Sequence, residues 1–165
     1  MISAIEKPLI TIVTIFLYHT GCRINEALNL KLDDIDFVND EIKIKQSKGN
    51  KDRRIAMNKK LKTRLQNYLD NVRPDVDTDY VFASKRSGSL SRTYYSRRLR
   101  MAVKKTDINK KISPHVIRHS TAVALVKKGV DLPTIQRILG HENLQTTSIY
   151  VHSDMTRIRD ALEAI

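Results

Sequence analysis

Hydrophobic and polar positions divide the chain into a helical beginning, a small β-hairpin and a helical second half. The apolar run Leu9–Leu17 fits a buried strand or a buried helix by its pattern alone. Pro8 before the run and Gly21 after it favour a helix, because proline opens and glycine closes helices. A second helix is predicted over Arg23–Leu30, with its apolar side chains facing inward.

Period-two alternation marks the only clear strands. Glu41–Lys45 alternates as a half-buried strand does, and Arg53–Met57 is its predicted partner. The turn-rich segment between them predicts a hairpin. Asp33–Asp36 is predicted to form a turn, and Tyr80–Phe82 a short strand at most.

Helical spacing governs the rest of the sequence. Leu61, Leu65, Tyr68 and Leu69 lie at helical intervals, and Pro74 marks the end of that helix. Pro114 and Pro133 stand at predicted helix starts, with a glycine after each predicted end. The later helices are predicted over Arg92–Thr106, Pro114–Lys128, Pro133–Leu139 and Gln145–His152. The fold class is therefore α+β, mainly helical, with a small antiparallel sheet near the N-terminal third, and residues 1–165 form one domain.

The net charge of the chain indicates the class of partner that it binds. The chain has 165 residues, 30 Lys plus Arg against 18 Asp plus Glu, and a formal net charge of +12. The basic residues concentrate in Lys43–Arg64 and Lys85–Lys111, which favours a surface that follows a polyanion, with nucleic acid ahead of a membrane surface. The alternative is that these basic segments form solvated surfaces that bind no partner. The six candidates for DNA contact are Lys51, Arg53, Arg97, Arg98, Lys104 and Lys105.

Composition also excludes several classes of protein. The single cysteine, Cys22, excludes a disulfide framework and a cysteine-based zinc finger. The longest apolar run is too short to span a bilayer, which requires about 20 residues, and the N-terminus lacks a secretory signal. We expect a cytoplasmic, nucleoid-associated protein with no membrane contact.

Several residues carry candidate chemistry, and each is weak evidence alone. Arg23 and Glu26 fit a surface ion pair, and Tyr150 fits a core position. His115 and His119 have the spacing of a zinc pair, but no acidic third ligand is near, so no metal site is predicted. As a set, these residues supply the groups that phosphoryl transfer requires: two arginines, a lysine, two histidines and a tyrosine. The guanidinium groups would take the place of a metal ion.

The motifs also occur in a recognisable order. That order resembles the tyrosine recombinase (phage integrase) family over about Leu9–His152: TGCRINEAL from Thr20, KGNK from Lys48, HVIRH from His115, LGH from Leu139, then Tyr150. The resemblance implies the family's catalytic-domain fold, with an N-terminal core-binding domain absent or removed. The tail 153–165 would form a helix that packs on its own subunit or is exchanged with another.

The resemblance also implies roles for the residues of the set. Arg23 and Arg118 would clamp the scissile phosphate, and Lys48 would protonate the departing 5′-hydroxyl. His115 and His141 would be the active-site histidines, and Tyr150 the nucleophile. Glu26 would orient Arg23 from behind.

The function implied is that of a site-specific DNA recombinase or integrase, which forms a 3′-phosphotyrosyl intermediate. It would act on double-stranded DNA as a homotetramer, without metal ion, ATP or other nucleotide cofactor. Two alternatives stay open at the level of the sequence: a type IB topoisomerase-like enzyme that only relaxes DNA, and a DNA-binding module without catalysis.

Overall fold

The computed structural model describes residues 2–45 and 52–140. After a short 3₁₀ turn at Ile2–Ala4, helix α1 spans Pro8–Thr20. Gly21 ends the helix in the left-handed conformation, φ 63°, and its N–H donates to Leu17 O at 2.9 Å. The prediction of a buried helix is confirmed, because apolar residues on nearly every side of α1 are buried.

The second helix is shorter than predicted. Helix α2 spans Ile24–Leu28 and is followed by a 3₁₀ turn at Leu32–Asp34. Leu30, predicted inside the helix, is 2% exposed but lies beyond its end. Its burial therefore explains why the hydrophobic pattern extended the helix too far.

A three-stranded antiparallel sheet follows. Strand β1 spans Ile35–Asp36, β2 spans Glu41–Ile44 and β3 spans Arg53–Ala56, in the order β1-β2-β3. The predicted hairpin strands are confirmed, with Ile42 opposite Ile55. The predicted turn over Asp33–Asp36 is partly wrong, since Ile35 pairs with Ile42 and adds an edge strand.

Helix α3 spans Lys59–Asn71, and the side chain of Asn58 caps it by accepting a hydrogen bond from the N–H of Leu61. Strands β4, Ala83–Ser84, and β5, Gly88–Ser89, form a second hairpin that the sequence did not predict. The short strand predicted over Tyr80–Phe82 is not formed: Tyr80 makes an isolated bridge with Lys31, and β4 begins at the next residue after Phe82.

Three more helices complete the described part of the chain. Helix α4 spans Arg92–Val103, α5 spans Pro114–Lys127 and α6 spans Leu132–Leu139. Pro114 opens α5, and Gly140 closes α6 with φ 65°, as predicted. The predicted helix Gln145–His152 lies outside the described residues.

Helix α1 is the centre of the packing. Phe16 meets Phe82 edge to face at 5.3 Å between ring centroids, and Thr14 and Tyr95 share a buried hydrogen bond of 2.9 Å. The hydroxyl of Thr121 in α5 donates to Tyr18 O at 2.8 Å, so α5 is tied to the C-terminal end of α1. Each large apolar side chain buried here contributes about 1.5–3 kcal/mol. These contacts join α1, α4 and α5 in one frame.

Among residues 2–45 and 52–140, the structure contains no helix with the length and apolar character needed to cross a bilayer.

We expect Gly21→Ala to lower the free energy of unfolding more than Gly129→Ala does. Both glycines have positive φ, 63° and 80°, so each alanine carries a backbone cost of about 1–2 kcal/mol. A Cβ at position 21 would lie 2.7 Å from Leu139 Cδ2, whereas at position 129 no described heavy atom lies within 4 Å. Overpacking therefore adds about 1–3 kcal/mol at position 21 only. Urea unfolding followed by circular dichroism measures both, and equal losses would contradict the prediction.

Candidate active site

The carboxylate of Glu26 is the centre of a charged cluster. Glu26 lies in the first turn of α2, and its side chain is 6% exposed. It accepts a hydrogen bond from the backbone N–H of Arg23 at 2.6 Å and from Arg23 Nη1 at 3.1 Å. The structure thus brings together Glu26 and Arg23, the pair that the sequence proposed.

A second arginine holds the same carboxylate. Arg53 Nη1 lies 3.1 Å from Glu26 Oε1, and Arg53 Nη2 lies 2.9 Å from Oε2. Arg53 Nε donates to Ile138 O at 3.3 Å, and the side chain is 9% exposed. All three guanidinium nitrogens of Arg53 are therefore occupied within the protein. The guanidinium of Arg53 is thus paired inside the protein, and its contact with DNA stays a prediction.

The ionisation of Glu26 follows from these neighbours. Burial by itself would raise its pKa, but hydrogen bonds from Arg53 and from Arg23 bring the pKa below the ordinary value. Glu26 is therefore a carboxylate at neutral pH, and two arginines face it.

Arg118 supplies the third guanidinium. It lies in α5 and is only 7% exposed; Nη1 donates to Gly21 O at 2.7 Å. Nη2 is buried and has no hydrogen-bond partner among the described residues. Burial, together with the positive charge of Arg23, lowers the pKa of Arg118 to about 10, so the group stays charged at pH 7. An uncommitted buried N–H on a cation favours an anionic ligand.

The C-terminal end of α6 closes the cluster. Arg23 Nη2 donates to Gly140 O at 3.3 Å, while the Arg23 side chain remains 45% exposed. A Cβ at Gly140 would lie 2.9 Å from Arg53 Cζ, so only glycine permits this close approach. The carbonyls of Gly21 and Gly140, each at a left-handed helix end, thereby hold two of the three arginines.

The net charge of the cluster determines what it can bind. Three guanidinium groups against one carboxylate sum to +2. Arginine forks match the oxygens of a phosphodiester, and an apolar surround strengthens each charge-assisted hydrogen bond.

The histidines of α5 lie on its first two turns. His115 and His119 are both exposed, and His115 precedes Arg118 by one turn of the same helix. Lys48, Lys51, His141 and Tyr150 lie outside the described residues. In the sequence, Lys48 falls between β2 and β3, and His141 directly follows Gly140.

Four candidates for DNA contact lie on or just after α4. Arg97 is exposed, with its guanidinium carbon 5.5 Å from the centroid of the Tyr94 ring, and Arg98 is partly exposed. Lys104 is exposed at the end of α4, and Lys105 forms an ion pair with Glu6.

The pairing of Arg53 with Glu26 was not predicted, although the alternation of the hairpin indicates an inward side chain at this position. Arg53 stands opposite Ile44 in the ladder, on the same face as the buried Ile42 and Ile55. An arginine at an inward position requires a buried acceptor.

Comparison with known proteins identifies the family to which the chain belongs. The sequence model of the phage integrase family matches residues 4–157. The chain belongs to this family. A tyrosine recombinase from Thermosipho africanus is 38% identical over 136 residues, which cover 82% of this chain and 47% of that relative. The chain therefore spans about half of that relative's length.

Solved structures of the family have the same fold. The crystal structure of XerA recombinase superposes with a TM-score of 0.84 at 34% identity, covering 99% of this chain and 60% of that one. The XerH recombinase bound to its difH substrate before cleavage gives 0.77 at 29% identity, covering 94% of this chain and 46% of that one. The predicted recombinase catalytic-domain fold is confirmed.

We expect Glu26→Gln to lower the free energy of unfolding at pH 7 by about 3 kcal/mol, because it leaves buried arginines without their counter-charge. Glu41→Gln is the matched control: Glu41 pairs with Arg54 on the surface, where the side chains are 38% and 73% exposed, so its loss is below about 1 kcal/mol. Urea unfolding measures both.

The pH dependence has a definite sign. The pKa of folded Glu26 lies below its ordinary value of 4.5, so the stabilisation is present above pH 4.5 and is lost as the pH falls through the folded pKa. The difference between wild type and Glu26→Gln should therefore shrink below pH 4.5. A difference that stays constant with pH would contradict the assignment of Glu26 as the ionised centre.

Proposed function

We propose that the chain is the catalytic part of a site-specific DNA recombinase or integrase. One observation carries the proposal: the buried guanidinium of Arg118, with an unpartnered N–H, is held beside Arg23 in a cluster of net positive charge. Membership of the phage integrase family supports it, as do the DNA-bound structures of the relatives.

In the proposed reaction, Arg23 and Arg118 bind the non-bridging oxygens of one DNA phosphodiester. The hydroxyl oxygen of Tyr150 attacks phosphorus, and the bond to the 5′-oxygen breaks. The tyrosine proton leaves to a base, for which His115 and His141 are the candidates, and Lys48 gives a proton to the departing 5′-oxygen. Attack by another strand's 5′-hydroxyl reverses these steps and rejoins DNA.

The arginines contribute most in the transition state. Charge on the non-bridging oxygens grows as the fifth bond forms at phosphorus, and donors already fixed by Gly21 O and Glu26 need no reorganisation. Their N–H groups would act as the oxyanion-hole donors of the reaction.

We propose a homotetramer on two double-stranded sites, with the tail 153–165 packed on its own or a neighbouring subunit, in the cytoplasm at the nucleoid. Sedimentation of the complex on DNA tests the assembly, and a mass of one or two chains would contradict a tetramer.

The proposed activity is tested on a pool of duplexes nicked beside random cleavage positions, so that the 5′-hydroxyl fragment diffuses away. We expect a denaturant-resistant protein–DNA adduct with wild type, also in EDTA, and none with Tyr150→Phe. Tyr18→Phe is the matched control, since Tyr18 is 43% exposed and the change also removes one tyrosine hydroxyl. An adduct with Tyr150→Phe would refute the nucleophile; relaxation of supercoiled DNA without strand exchange would favour the topoisomerase alternative.

We expect Arg118→Lys to slow adduct formation by about 10²-fold or more, because an ammonium cannot both bond Gly21 O and fork onto phosphate. Arg73→Lys is the control, because Arg73 also donates to backbone carbonyls, those of Thr78 and Tyr80, but outside the cluster. Near wild-type rates for Arg118→Lys would count against the phosphate clamp.

Replacing Arg97 or Lys104 by glutamine should weaken DNA binding at every sequence. The slope of log K against log salt should fall by about 1 for each phosphate that the variant no longer binds. Lys31→Gln removes the same charge from a lysine already paired with Asp79 at 2.6 Å and serves as the control. A slope identical to wild type would remove the tested residue from the DNA-binding face. Filter binding at several salt concentrations gives the slopes.

A further inference from the structure

We propose that Arg53 is a positioning residue, which fixes the carboxylate of Glu26 and through it the guanidinium of Arg23. The inference rests on the proposed function, since Arg23 is there a phosphate-binding group. It assigns to a strand of the hairpin a part in the geometry of the active site.

The hydrogen bonds of Arg53 restrict its guanidinium to one orientation. Its two Nη atoms meet the two oxygens of Glu26 at 3.1 and 2.9 Å, and Nε meets Ile138 O at 3.3 Å. Gly140 lies against the guanidinium so closely that a Cβ would come within 2.9 Å of Cζ. A planar fork with all its nitrogens bonded and its face covered cannot turn without breaking three hydrogen bonds.

The carboxylate of Glu26 is held in place by two arginines. Arg23 donates its backbone N–H to Oε2 and its Nη1 to Oε1, and on its 45% exposed side chain the other Nη bonds to Gly140 O at 3.3 Å. Arg53 is 9% exposed and bonds to both carboxylate oxygens. Arg53 thus adds a buried pair of bonds to the pair from Arg23, and the two pairs together fix the plane of the carboxylate to which Arg23 Nη1 donates.

Charge reinforces this geometry. The ionisable groups that act on Glu26 are Arg23 of the α2 start, Arg53 of β3, Arg118 of α5 and the thiol of Cys22. Hydrogen bonding to Arg53 is the largest influence that opposes burial in setting the Glu26 pKa. Without Arg53, the carboxyl would protonate at a higher pH, and once protonated it would no longer offer Arg23 a charged acceptor.

Arg54 offers a matched control in the same strand. Its Nη1 pairs with Glu41 Oε2 at 2.7 Å, but its side chain is 73% exposed, and exposed pairs contribute little. Replacing Arg53 or Arg54 by methionine removes the same charge from adjacent residues of β3, one on the inward face and one on the outward face.

The first test follows adduct formation on nicked duplex DNA for the full chain. Arg53→Met should slow it by about 10- to 100-fold, with DNA affinity within a few-fold of wild type, and Arg54→Met should match wild type. The double variant Arg53→Met/Glu26→Gln should be no slower than the slower single variant, because both act through one contact. The proposal is overturned if the rate losses of the two single variants multiply in the double variant, or if Arg53→Met reacts at the wild-type rate.

The pH profile separates positioning from general loss of structure. Because Arg53→Met raises the pKa of Glu26, its rate should begin to fall with acid at a higher pH than that of wild type. A destabilised but otherwise normal site would lose rate equally at every pH. Arg53→Lys keeps the charge without the fork; it should fold, as checked by thermal melting, and still react slowly.

A second measurement does not depend on activity. Rotation of the Arg23 guanidinium about Nε–Cζ, followed by ¹⁵N NMR and assigned with Arg23→Lys, should be faster in Arg53→Met than in wild type or Arg54→Met. Unchanged rotation would overturn the proposal even if the rate fell. If wild type forms no adduct, the proposed function fails, while the NMR result still decides the role of Arg53.

Discussion

The arrangement of the site depends on one buried carboxylate. Glu26 accepts four hydrogen bonds, two from Arg23 and two from Arg53, and it offsets part of the charge of three converging arginines. Like charges gathered in a partly buried place repel one another, so this convergence requires a counter-charge at its centre. Because Glu26 is fixed in the first turn of α2, it holds Arg53 of β3 at this point, and the two arginines in turn bond the carbonyls of Ile138 and Gly140 at the end of α6.

Backbone carbonyls at two helix ends also hold the arginines in place. Gly21 and Gly140 end their helices with positive φ and leave carbonyl oxygens directed at Arg118 and Arg23. Neutral acceptors hold these arginines without cancelling their charge. The site therefore combines fixed orientation with a field that remains positive, which is what recognition of a phosphodiester in a transition state demands.

The sequence predicted most of the regular elements because proline, glycine and strict alternation mark their ends and faces locally. It missed β1 and the hairpin β4–β5, whose strands have two residues each and are defined by partners rather than by their own pattern. The pairing of Glu26 with Arg23 was accessible from spacing in one helix. The contact of Glu26 with Arg53 joins residues 27 positions apart, and only the folded hairpin brings them together.

The uncommitted Nη2 of Arg118 has a consequence for evolution of the fold. A buried cationic N–H without an acceptor costs stability in the free protein, and the lowered pKa of Arg118 is another expression of the same burial. Selection for stability alone would replace Arg118 with an apolar residue of similar volume. Its presence in the frame of α1 and α5 marks a place where the fold gives up stability in order to meet a ligand.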